Sequence, residues 1–103
     1  MNDYRADIAA YTTAVDDAAI AAIVRYCGIA LRNPDSALVS GTDPKELGTV
    51  RHGFAAKKLG LDAAAADAGM RAVLAQMQGV QRKSRVTFYY LLAQATGTLA
   101  KLR

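Results

Sequence analysis

The chain has no tryptophan, one cysteine, one histidine and two prolines in 103 residues. Each scarcity excludes something. The single thiol, Cys27, rules out an internal disulfide and suits a reducing compartment, expected here to be the cytoplasm. The single imidazole, His52, has no neighbouring carboxylate or cysteine in sequence and so makes no metal-ligand spacing. It also lies far from Cys27 along the chain, which is therefore expected to be a buried, inert thiol rather than a nucleophile. No apolar run approaches the ~20 residues of a membrane span. The polar, acidic start Met-Asn-Asp-Tyr-Arg-Ala-Asp lacks the basic-then-apolar order of a signal peptide. Nucleophile–base pairs, paired carboxylates and phosphate loops are missing, and the glycines are scattered helix stops rather than a cradle. No catalytic residue, metal or cofactor is expected.

A chain of this length makes one domain, residues 1–103. Hydrophobic residues are 52% of the total, but much of that is alanine, so the core is thin per residue. The net charge of +4 is unevenly placed. Residues 1–50 hold four basic and seven acidic side chains; residues 51–103 hold nine basic and two acidic. A basic half attracts polyanions, unless the two halves neutralise each other within one fold.

The stretch Ser84-Arg-Val-Thr-Phe-Tyr-Tyr-Leu-Leu92 organises the rest. Its residues favour strands, but neither parity alternates apolar with polar. Phe88, Leu91, Leu92, Ala95 and Leu99 instead follow helical spacing. Thr87, Tyr90, Gln94 and Thr98 form a narrow polar stripe. Ser84 is a good N-cap and Gly97 a good stop. A helix apolar around most of its girth is central, with neighbours on several sides.

Upstream, residues 3–14 read as a helix with Tyr4, Ile8 and Tyr11 on one stripe. Asp16 and Asp17 open a second, with Ile20, Ile23, Val24 and Cys27 inward and Gly28 as its stop. Residues 29–43 are irregular, with turn chemistry at Asn33-Pro34-Asp35-Ser36. Asp43, Pro44 and Glu46 form a capping signal for a third helix ending at Gly60. Asp62 opens an alanine-rich helix to about Gln78, which Gly69 is expected to weaken or divide. The fold class expected is all-α: a single compact bundle of about five short helices around a central C-terminal helix.

Two blocks carry a family pattern. One runs Ala30-Leu31-Arg32-Asn33, Asp35-Ser36, Leu38-Val39, Asp43-Pro44, Glu46-Leu47, Val50-Arg51, Phe54 and Lys57 to Leu61; the other runs without a gap from Lys83 to Ala93. Together they resemble an uncharacterised family of short bacterial proteins catalogued as a domain of unknown function. The resemblance implies a compact helical domain and carries over no activity. Pro34, Gly41, Gly48 and Gly53 depart from the pattern and are expected to loosen the loop and the third helix.

Two groups of residues are candidate sites. Arg82, Lys83 and Arg85 crowd Ser84 at the positive end of the central helix, where cations are unfavourable. Something negative should compensate. It is either an internal carboxylate, such as Asp35, Asp16 or Asp17, or an external anion such as phosphate held by the cations and the helix N–H groups. Arg32, Asn33, Asp35 and Ser36 form a polar constellation whose ordinary explanation is internal. In that case Asp35 pairs with an arginine, and Asn33 or Ser36 closes backbone turns. The leading functional expectation is a non-catalytic binding or interaction module for a protein or phosphate-bearing anionic partner. Nucleic-acid binding, without a recognised motif, and small-molecule enzymology are the alternatives. No membrane partner is expected, and the oligomeric state is open.

Overall fold

Nine consecutive residues, Arg85 to Ala93, are buried on one helix. That helix, α5 (Arg85–Ala95), is the axis of the molecule, and four more surround it: α1 (Tyr4–Ala9), α2 (Asp17–Cys27), α3 (Pro44–Val50, continued by a π-helical segment over Arg51–Lys58) and α4 (Ala63–Gln76). The computed structural model describes residues 4–33, 35–80 and 83–102. Short 3-10 helices at Gly28–Arg32 and Leu99–Lys101 follow α2 and α5. The architecture is mainly all-α, in agreement with the sequence reading. A two-stranded antiparallel patch, β1 (Leu38–Val39) with β2 (Lys83–Ser84), was not foreseen; it pairs Leu38 with Ser84 and Val39 with Lys83. No described helix is long and apolar enough to cross a membrane.

The helix starts follow from short polar side chains that accept from otherwise unpaired N–H groups. Asp16 accepts from Ala19, Asp43 from Lys45, Asp62 from Ala65 and Ser84 from Thr87. Each cap contributes about 1 kcal/mol. Glu46, however, does not close a capping box. Its carboxylate turns inward to Arg85.

The first helix is shorter than its apolar stripe suggested, and Asp3 lies outside the described residues. Helical bonding ends where Tyr11 N–H and Thr12 N–H both donate to Ile8 O. The chain then wraps the hydroxyl of Tyr90, which donates to Ala14 O at 3.3 Å and accepts from Asp16 N–H at 2.8 Å. The polar stripe of α5 is therefore an internal seam. Thr87 donates to Asp7, and Gln94 donates to Thr12 Oγ1 at 2.9 Å. Among the described residues, every buried polar side-chain atom has a partner.

Gly69 does not divide α4, which runs unbroken from Ala63 to Gln76. It marks instead a close approach of α4 to the C-terminal end of α5. A methyl group at Gly69 would lie 2.6 Å from Thr96 Cγ2 and 2.8 Å from Leu92 Cδ1. The third helix widens into π geometry around Gly53, with Leu59 N–H donating to Phe54 O, five residues back. Bonding at that spacing brings residues five apart onto one face. Phe54 and Leu59 are both buried as a result. They join Ile8, Ile23, Val50, Val73, Met77, Phe88, Tyr90, Leu91 and Leu92 in one contiguous core. Leu102 anchors the tail against it.

Candidate functional site

The two sequence-derived groups meet at the start of α5. Arg85 N–H donates to Ala37 O at 2.8 Å, tying the helix start to the 33–39 segment. The Arg85 side chain then reaches four acceptors. Nε donates to Ser36 O at 2.6 Å, Nη2 to Leu38 O at 3.2 Å and to Glu46 Oε1, and Nη1 to Tyr89 Oη at 3.0 Å. The residue is only 9% exposed. Burial pushes the guanidinium pKa down, and Tyr89 and Glu46 more than offset it, so it stands above the usual arginine value. Burial likewise pushes the Tyr89 phenol up, against the lowering effect of Arg85.

The carboxylate that compensates Arg85 is thus Glu46, which was not among the three named from sequence. Asp16 caps α2, Asp17 pairs with Arg5, and Asp35 is exposed. Glu46 was hidden in sequence because it satisfies a capping-box pattern. Lys83 is also engaged, its Nζ donating to Val80 O at 2.6 Å, and Ser84 Oγ accepts from Thr87 N–H at 3.5 Å. Arg82 lies outside the described residues.

In the other group, Asn33 Oδ1 accepts from Asp35 N–H at 2.9 Å, and Ser36 Oγ donates to Ala30 O at 2.7 Å. These bonds close backbone turns. No described carboxylate pairs with the exposed Arg32. Between the two groups lies an open cleft of about 500 Å³, lined by Asp35, Ser36, Ser40, Asp43, Glu46 and Arg85 among others. Its described lining holds three acidic residues and one arginine. Among the described residues, no three His, Cys, Asp or Glu side chains gather as a metal site would require.

On the far side of Arg85 an aromatic stack leads to the surface. Tyr89 stacks on Phe54 with ring centroids 4.1 Å apart, and Tyr26 covers Phe54 edge-on at 5.3 Å. Tyr26 is 42% exposed, and three residues on, Ile29 is 80% exposed. These two are the exposed large hydrophobics among the described residues, three positions apart in the chain. Sequence reasoning missed both. Ile29 looked like an ordinary loop residue after a helix stop, but Gly28, at φ +50°, ends α2 and Ile29 stands exposed on the 3-10 helix that follows. Cys27, beneath, is half-buried, and burial pushes its thiol up to about 11 against the pull of Arg85. It is a protonated packing residue at neutral pH.

A family model described as "Protein of unknown function (DUF2853)" matches residues 3–100, and the chain belongs to that family. Comparison with curated proteins returns no match.

Proposed function

We propose that this member of the DUF2853 family is a non-catalytic interaction module of the bacterial cytoplasm. It takes a protein partner on the corner formed by the end of α2 and the 3-10 helix Gly28–Arg32. The observation that carries this reading is Ile29, a large aliphatic side chain 80% exposed three residues after the half-covered Tyr26. Scattered apolar surface residues are ordinary, but two large ones so close in the chain, at the end of one helix, suit an interface centre. Arg85, Lys83, Ser84, Asn33 and Ser36, which could have suggested chemistry, make hydrogen bonds inside the fold. Arg85 is held by Glu46, Ser36, Leu38 and Tyr89, and an anion at the start of α5 would have to displace Glu46. Two cations of the basic half, Arg51 and Arg85, face Asp67 and Glu46, which leaves less charge for nucleic acid. The lone thiol suits a reducing cytoplasm.

The test is photo-crosslinking in the native host. A benzophenone amino acid replaces Ile29 in one strain and the exposed Ala64 on α4 in another. A discrete protein adduct at position 29 that is missing at position 64 is expected. Identical adduct patterns at both positions, or none at either, would remove the reading.

A further inference from the structure

The arginines among the described residues divide into two sets. Arg5, Arg51 and Arg85 each hold a carboxylate: Asp17, Asp67 and Glu46. Arg25, Arg32 and Arg71 are exposed, and no described carboxylate pairs with any of them. Two of those three bracket Ile29. Arg25 lies in the last turn of α2, four residues before it. Arg32 lies three residues after it on the 3-10 helix, where side chains at that spacing eclipse.

Resting on the docking reading above, we infer that the partner presents an acidic segment to this corner: an apolar side chain set against Ile29 and Tyr26, flanked by carboxylates that pair with Arg25 and Arg32. The chemistry is specific. A guanidinium fork matches a carboxylate in two parallel hydrogen bonds, and a rim of charge around an apolar centre fixes register and speeds encounter. The nearby acids do not compete. Asp35, three residues beyond Arg32, lines the cleft on the Glu46 side. Asp17, at the opposite end of α2, is held by Arg5. A basic partner would face two like charges, and a purely apolar one would strip water from both arginines without replacing it.

The experiment extends the crosslink at position 29 to two further backgrounds: Arg25→Glu with Arg32→Glu, and Arg25→Lys with Arg32→Lys. The crosslinked partner peptide is sequenced by mass spectrometry. Expected are at least two Asp or Glu residues close to the crosslinked position, and an adduct yield that falls roughly tenfold or more in the glutamate pair. The lysine pair, which keeps charge but loses the fork, should fall between. An adduct that survives charge reversal, or a crosslinked peptide without acidic residues, overturns the acidic partner and leaves the docking corner standing. No adduct in any background removes both. Melting curves on the purified variants establish that each is folded.

Discussion

Arg85 and Arg32 carry the same side chain and meet opposite fates. Arg85 sits at the start of α5 behind four internal acceptors. Arg32 ends a 3-10 helix, exposed and with no described carboxylate paired to it. The difference arises from what surrounds each at the backbone level. The β1–β2 pairing and the Ala37 bond bring a run of carbonyls against Arg85, and α3 delivers Glu46 to it. The 3-10 helix after Gly28 leaves Arg32 exposed instead. A cation beside an aromatic core segment is thus a structural element where the fold supplies its counter-charge. It becomes a candidate for recognition where the fold does not.

The buried region should be the easier to break. Phe88 is fully buried on α5, and Phe88→Ala should cost about 3–5 kcal/mol, read as a drop in the urea midpoint. A change under about 1 kcal/mol would show that α5 is not the axis of the core. Next in size is Glu46→Gln, which strands the Arg85 guanidinium in a cleft open to water. It should cost about 1.5–3 kcal/mol, and Arg85→Met combined with Glu46→Leu should recover part of that loss. A double variant worse than the sum of the singles would mean that the pair is not the compensating unit. Gly69→Ala sets overpacking of about 1–3 kcal/mol against a helix gain of about 1 kcal/mol. Net destabilisation is expected, and the cost of Gly69→Ala should be smaller when measured in a Leu92→Ala background. A more stable Gly69→Ala protein would place α4 further from α5 than described.

A pH effect separates the two regions more finely. Cys27 lies between the Arg85 network and the exposed corner, with its thiol raised from 9.0 to about 11 by burial. In the unfolded chain the thiolate forms first, so the stability of the neutral buried thiol is complete below about pH 9 and is lost as pH climbs towards 11. Iodoacetamide should accordingly react more slowly with folded than with denatured protein at pH 9, and Cys27→Ala should flatten the alkaline loss of stability. Equal alkylation rates would place Cys27 at the surface.

Much of the fold was legible before the structure. Capping by Asp16, Asp43, Asp62 and Ser84, the stops at Gly28, Gly60 and Gly97, and the centrality of α5 all follow from local signals. Such signals are short-range: one side chain accepts from an N–H two or three residues away. What escaped depends on tertiary placement. Glu46 satisfied a local pattern yet serves a residue 39 positions away. Gly69 looked like a weak point because its closeness to Leu92 and Thr96 has no trace in the helical period. Ile29 escaped because solvent exposure after a turn depends on the direction the turn takes.

The measurement that bears most directly on the distinction between internal and outward-facing arginines is thermal melting of Arg25→Glu with Arg32→Glu, alongside crosslinking at position 29. The carboxylate that Arg25→Glu places in the last turn of α2 costs about 0.3–1 kcal/mol, so the melting temperature should fall by no more than about 4–8 °C while the adduct yield falls roughly tenfold or more. A melting temperature that collapses as it does for Glu46→Gln would show that these arginines hold the fold together, and would contradict the assignment of this corner to a partner.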